Sequence, residues 1–199
     1  MVKVILVSNR LPITVLHDDQ SSRVISSGGG LISALQQVIA SNPTIWIGWA
    51  GSPSPAGAES LQVRPMRGMR GLVPVRLDED EVREFYEGYC NRVLWPLFHY
   101  LGDRIPIQID HWETYRRVNQ RFADAVLETY EEGDTIWVHD YHLMLLPELL
   151  RQKLPRARIG FFLHTPFPSF EVFRILPQRT DLVRGMLGAD LVGFHTASY

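Results

Sequence analysis

Four apolar runs, each stopping at a knot of polar side chains, constrain this chain more than any other feature. Residues 2–7 end at Ser8-Asn9-Arg10, and residues 136–138 at His139-Asp140-Tyr141-His142. Residues 159–163 end at His164-Thr165-Pro166-Phe167-Pro168, and residues 191–194 at His195. A strand with one wet face alternates apolar and polar positions; a near-continuous apolar run is a strand covered on both faces, as in parallel sheets. Helix-like segments lie between these runs, and strand alternating with helix predicts an α/β fold with a doubly wound parallel sheet. In such sheets ligands bind beyond the carboxyl ends of the strands. Arg10, Asp140 and His164 are therefore expected on one rim, around a small, polar, anionic ligand.

The remaining elements follow from local signals. Residues 11–27 read as a long loop, with Pro12, Asp18-Asp19 and a serine-rich end. Gly28-Gly29-Gly30 opens a helix over 31–40, whose apolar positions recur at helical spacing, and Asn42-Pro43 stops it. Thr44–Trp49 is a second strand, 51–60 a loop, and 61–64 and 72–76 short strands. Asp78 with Glu81 forms a variant capping box for a helix running towards Trp95-Pro96. Further helices are expected over 112–130, 143–153, 170–176 and 181–187, with a strand over Thr135–His139. The pattern stops just after a strand, which reads as a piece of something longer.

Composition narrows the function classes. The chain has 199 residues and a net charge of -2, with no basic stripe, which argues against nucleic acid as a partner. Its single cysteine, Cys90, excludes an internal disulfide framework and reads as a small buried hydrophobe in a reducing compartment. No apolar stretch approaches a membrane span, and residues 4–7 are too short for a signal-peptide core. The expected location is cytoplasmic.

Each polar knot has a functional and a bland reading. Glycines at a helix start let backbone approach a phosphate, or make a flexible turn; the dinucleotide spacing G-x-G-x-x-G is absent. Arg10 is placed to grip phosphate through paired hydrogen bonds, or to make a surface salt bridge. His139 and Asp140 point to opposite faces of an extended segment, which disfavours a metal. Asp140 is better suited to accepting hydrogen bonds from sugar hydroxyls, or to capping the next helix. His164, held before two prolines, is a positioned ligand contact or a core histidine. Trp46, Trp49, Trp95 and Trp112 are mostly core, although an aromatic at the rim could stack on a sugar ring.

Taken in order along the chain, several motifs carry a resemblance. They are Val7-Ser8-Asn9-Arg10-Leu11-Pro12, Gly28-Gly29-Gly30-Leu31, Trp46-Ile47-Gly48-Trp49, Val93-Leu94-Trp95-Pro96-Leu97-Phe98-His99-Tyr100, Ile136-Trp137-Val138-His139-Asp140-Tyr141-His142-Leu143 and Gly160-Phe161-Phe162-Leu163-His164-Thr165-Pro166-Phe167-Pro168. The chain resembles the trehalose-6-phosphate synthase family over nearly its whole length. The resemblance implies a retaining GT-B glycosyltransferase, with two Rossmann-like domains facing across a cleft. Residues 1–199 would be the acceptor-side domain, stopping before the donor-binding domain.

The implied reaction moves glucose from UDP-glucose to glucose 6-phosphate, without cofactor or metal. By resemblance, Arg10 binds the acceptor phosphate, Tyr86, Trp95 and Trp49 line the acceptor pocket, and Asp140 contacts acceptor hydroxyls. Gly29 and Gly30 approach the donor diphosphate, and His164 contacts the transferred glucose; His164 and Asp140 are the candidate catalytic pair. The family's donor-side arginine and lysine, and its ribose-binding carboxylate, match nothing here, so the isolated chain is expected to be inactive. A homo-oligomer of a full-length protein is compatible with the resemblance. The alternatives are a related transferase with another acceptor, such as glycerol 3-phosphate, and a non-catalytic sugar-phosphate-sensing subunit.

Overall fold

The computed structural model describes residues 2–18, 21–26, 30–53 and 68–196. Eight strands are described: β1 (Val4–Arg10), β2 (Ile13–Asp18), β3 (Ser21–Ser26), β4 (Thr44–Trp49), β5 (Met69–Val75), β6 (Thr135–His139), β7 (Arg158–Phe162) and β8 (Leu191–Gly193). Six of them form one sheet in the order β5-β4-β1-β6-β7-β8. Every neighbouring pair in it is parallel. The chain steps outward from β1 through β4 to β5, then returns to the other side of β1 for β6, β7 and β8. This is the order of a dinucleotide-fold sheet, with its switch point between β1 and β6.

Both faces of the central strand are covered, which is why residues 4–7 carry no polar alternation. Ile5 and Val7 join a large core with Phe85, Tyr115, Phe122, Ile136 and Ile159. Leu6 joins a smaller core on the opposite face with Trp46, Leu72, Leu35 and Ile39. The last two come from α1 (Gly30–Ser41). The larger core takes in α4 (Trp112–Thr129), α5 (Leu146–Lys153) and α7 (Arg179–Met186). Burying one such side chain contributes about 1.5–3 kcal/mol.

The register between β1 and β6 is pinned at their entrance. Lys3 Nζ lies 2.7 Å from Asp134 Oδ2, and Lys3 N donates to Asp134 Oδ1 at 2.9 Å. Burial works against Asp134's charge, yet its hydrogen bonds to Lys3 and Glu131 hold its pKa below the ordinary carboxylate value. The pinned register, Val4 against Thr135 through Val7 against Val138, brings the exits of both strands together.

The capping box forms as expected. Asp78 Oδ1 accepts from Glu81 N at 2.8 Å and Glu81 Oε2 accepts from Asp78 N at 3.2 Å, opening α2 (Glu79–Glu81). The helix then continues π-wound over Val82–Leu94 and ends in α3 (Trp95–Phe98). Its buried side chains, Phe85, Tyr89-Cys90 and Val93-Leu94, recur every four to five residues, which suits the wider winding. Cys90 is buried, and burial pushes its thiol pKa well up.

Several expectations are corrected. The segment over 11–27 is not all loop: β2 and β3 pair antiparallel, Ile13 against Ser26 through Asp18 against Ser21. The helix expected from 143 starts at Leu146, because Tyr141–Leu143 first make a 3-10 turn and Pro147 sits in the helix's opening turn. The helix expected over 170–176 is the short α6 (Phe170–Phe173). Gly28, Gly29 and the strand expected over 61–64 lie outside the described residues. Among the described residues no helix is long and apolar enough to cross a membrane.

Candidate functional site

The exit of β1 is built to bend. Pairing with β4 slips between Val7 and Arg10. Ser8 Oγ donates to Arg10 O and accepts from Trp46 Nε1, both at 2.8 Å. The bent chain crosses β4 at Gly48, where an added Cβ would lie 2.9 Å from Leu11 N and from Ser8 O. The bend lays the Arg10 guanidinium over the Trp49 indole, its central carbon 4.7 Å from the ring centroid. The Arg10 side chain also donates to Thr14 Oγ1 at 3.4 Å. No carboxylate among the described residues is paired with it.

The exit of β6 carries backbone strain. Asp140 has φ 76° and ψ 168°, a region essentially restricted to glycine. Holding a side chain there costs on the order of 1–3 kcal/mol, and such outliers cluster at ligand sites. Asp140 N donates to Phe162 O at 2.8 Å, and its Oδ1 accepts from His164 N at 3.2 Å. The carboxylate makes no side-chain cap hydrogen bond, and α5 opens only at Leu146, so capping a helix is not the role it plays. Burial raises its pKa from 3.8 to about 6, with the Tyr141 and His164 amides opposing the rise.

Histidines surround this carboxylate. His139 Nδ1 lies 3.1 Å from His164 Nε2, and the His164 ring meets His195 edge-on at 5.3 Å. His142 stacks on Tyr141 at 4.1 Å and on Tyr86 at 6.1 Å. Burial lowers the pKa of His139 and of His142 from 6.5 to about 3. Burial, then the nearby His195, lowers that of His164 to about 4. The three are neutral near pH 7. Among the described residues no group of three or more His, Cys, Asp or Glu side chains is placed to hold a metal ion.

These groups wall one cavity of about 720 Å³, a volume suited to a small polar ligand. It lies beyond the carboxyl ends of β1 and β6, where the strand order reverses. Arg10, Tyr86, Asp140 and His164 share its wall with Gly30, Leu31 and Ile32 at the start of α1. A helix N-terminus offers free amides and a positive dipole end to an anion.

Two expected residues sit differently. Trp49 lies behind the wall, only 2% exposed, because Arg10 covers its face and Tyr86 meets it edge-on at 5.4 Å. Trp95 is off the wall, 37% exposed and stacked on His99 at 4.2 Å, because Leu94, Leu97 and Phe98 take the buried side of that helix. Gly29 lies outside the described residues. Sequence reasoning weighed His139 and His142 only as metal ligands and missed their place on the wall; Trp46, read as core, is core at 1% exposure and also borders the cavity. It also missed Gly51, whose φ of +90° lets the backbone pass so close that a Cβ would collide with the Arg10 guanidinium. His139 and His195 were findable by the strand-exit rule; Gly51 had no local signal beyond its loop.

The fold and these motifs have counterparts. The UDP-forming alpha,alpha-trehalose-phosphate synthase of Schizosaccharomyces pombe is 43% identical over 202 residues, covering 99% of this chain and 39% of that protein. A synthase of the same description from Arabidopsis thaliana is 45% identical over 205 residues, covering 99% of this chain and 22% of that protein. The Burkholderia xenovorans synthase in complex with glucose-6-phosphate superposes with a TM-score of 0.83 at 33% identity, over 98% of this chain and 40% of that one. An E. coli structure bound with UDP-2-fluoro glucose gives 0.81 at 33% identity, with the same two shares. The chain thus spans about two fifths, or less, of the proteins it matches. The family model for glycosyltransferase family 20 matches residues 2–199. This chain belongs to glycosyltransferase family 20.

Proposed function

We propose that this chain forms the acceptor side of a GT-B trehalose-6-phosphate synthase, which transfers glucose from UDP-glucose to glucose 6-phosphate with retention at the anomeric carbon. The observation that carries the reading is the Arg10 guanidinium, held over Trp49 and sharing one cavity with the strained Asp140. A cation with no carboxylate partner among the described residues and a buried acceptor in one cavity match the two ends of a sugar phosphate. Arg10 takes the phosphate through charge-assisted hydrogen bonds, with Tyr86 beside it. Asp140, ionised above about pH 6, accepts from the sugar hydroxyls. Trp49 acts through Arg10, and Trp95 enters only at the outer edge, where it stacks on His99. That two relatives' structures carry glucose-6-phosphate and UDP-2-fluoro glucose supports the pair of substrates.

On the donor side, the start of α1 at Gly30, with Gly29 before it, faces the diphosphate, and His164 meets the transferred glucose. In the transfer the bond from the anomeric carbon to the diphosphate oxygen breaks. The acceptor hydroxyl oxygen bonds that carbon, and its proton leaves with the nucleotide diphosphate. Aligning the two substrates supplies roughly 7–11 kcal/mol of the barrier. The cytoplasm is the compartment that fits a chain with one buried cysteine and phosphorylated substrates. Titration calorimetry with glucose 6-phosphate, glucose, glycerol 3-phosphate and UDP-glucose tests the reading. Glucose 6-phosphate is expected to bind at least tenfold more tightly than glucose or glycerol 3-phosphate. Equal affinity for all three acceptors overturns it.

A further inference from the structure

β6 and β7 run parallel, with His139 opposite Phe162 and His164 two residues further on. This puts the two imidazoles in contact, with His139 Nδ1 3.1 Å from His164 Nε2. A nitrogen–nitrogen contact of that length carries one proton between two ring nitrogens. Two protons would clash, and two lone pairs would repel.

The proton has two owners to choose from. If His164 donates through Nε2, His139 must carry its own proton on its other nitrogen. That nitrogen, His139 Nε2, is fully buried and has no hydrogen-bond partner among the described residues. The result is an orphaned buried N–H, the rarer defect in folded proteins, with a desolvation cost that nothing offsets. If His139 donates through Nδ1, its buried Nε2 is a bare lone pair and needs no acceptor. Burial keeps both rings neutral, so neither has a second proton to spare.

We propose that His139 is a positioning residue for His164: its Nδ1–H donates to His164 Nε2 and holds that ring as the Nδ1–H tautomer. The one polar group His164 then offers the cavity is a neutral donor. Within the sugar-phosphate reading above, on which only this consequence rests, His164 meets a hydroxyl or diphosphate oxygen and cannot accept a proton from a nucleophile. It stabilises an oxygen without acting as a base.

The test is a long-range proton–nitrogen correlation spectrum of the chain with ring-15N histidine, at pH 7 and without ligand. The expected result is a pyrrole-type Nδ1 and a pyridine-type Nε2 for His164, and a pyrrole-type Nδ1 for His139. His139→Asn places an amide donor near the Nδ1 position and is expected to preserve the His164 tautomer. His139→Leu removes the donor, and the tautomer ratio of His164 is expected to move by about tenfold towards the Nε2–H form. A protonated Nε2 on His164 in the unmutated chain overturns the proposal, whether or not either variant folds. So does an unchanged Nδ1–H tautomer in a folded His139→Leu chain. Because no sugar phosphate is present, a failure here is distinct from a failure of the acceptor reading.

Discussion

Arg10 and Gly51 occupy one another's space: the guanidinium fills the position a side chain at Gly51 would take. Trp49 closes the other side of the same group at 4.7 Å. The cation proposed to bind phosphate is thus shaped by a missing side chain on one side and an indole on the other.

Arg10→Ala is expected to weaken glucose 6-phosphate binding by about tenfold or more, since a hydrogen bond to a charged group is worth about 1.5–3 kcal/mol. Arg10→Lys should recover little of this, because an ammonium neither stacks as a plane nor forks onto two oxygens. Calorimetry on the three proteins decides the point. Full affinity in the lysine variant would show that charge alone suffices.

Gly51→Ala is expected to match Arg10→Ala in binding, although it touches no ligand. At φ +90° the alanine is strained, and its Cβ displaces the guanidinium. In a double-mutant cycle the second substitution should add almost nothing, as expected for two residues acting through one group. Additive losses would separate Gly51 from Arg10.

The strain at Asp140 predicts a reversed order of substitutions. Alanine ordinarily exceeds glycine in stability by about 0.5–1 kcal/mol, but the backbone here is one that only glycine adopts freely. Asp140→Gly should therefore be more stable than Asp140→Ala, by roughly 1 kcal/mol or more. Both should lose sugar-phosphate affinity. Urea unfolding of the two variants reads the order, and a more stable alanine variant would remove the strain from the account.

Most of the sheet was legible in the sequence, because strands covered on both faces leave continuous apolar runs. The exits of β1, β6, β7 and β8 could be named for the same reason. The β2–β3 pairing was hidden because the serines and the Asp18-Asp19 pair in the sequence also describe a loop. The displacement of Trp95 was invisible, since its place depends on whether Trp95 or its neighbours Leu94, Leu97 and Phe98 face the core, and all four are apolar. The His139–His164 contact was out of reach as well, because it depends on the side-by-side pairing of strands whose order no single segment encodes.

Acid is expected to weaken acceptor binding through Asp140. Its carboxyl, raised to about 6 by burial, loses its charge as the pH falls through that value. Glucose 6-phosphate also takes up a proton near pH 6, so the unmutated protein alone is ambiguous. Asp140→Asn removes the protein's share. The affinity ratio of the unmutated chain to the variant should be largest above pH 7 and shrink towards pH 5. A ratio independent of pH would place the titration on the ligand only.

The buried histidines set the acid limit of the fold itself. In the unfolded chain His139, His142 and His164 take up protons near 6.5. In the folded chain burial delays this to about 3, 3 and 4. Between these values the unfolded state holds more protons, so stability is complete above pH 6.5 and falls as the pH drops through the window, each histidine adding at most about 1.4 kcal/mol per pH unit. Asp140 has the opposite sign: its folded pKa of about 6 exceeds the ordinary 3.8, so it adds stability as the pH falls from 6 towards 3.8. Three histidine protons outweigh one carboxyl proton, and the net slope remains positive. The urea midpoint should be highest near pH 7.5 and fall steadily through pH 6 and pH 5. His142→Phe, which keeps an aromatic ring between Tyr86 and Tyr141, should flatten that fall. A midpoint constant or rising between pH 7.5 and pH 5 would mean that these histidines are not held neutral at the strand exits.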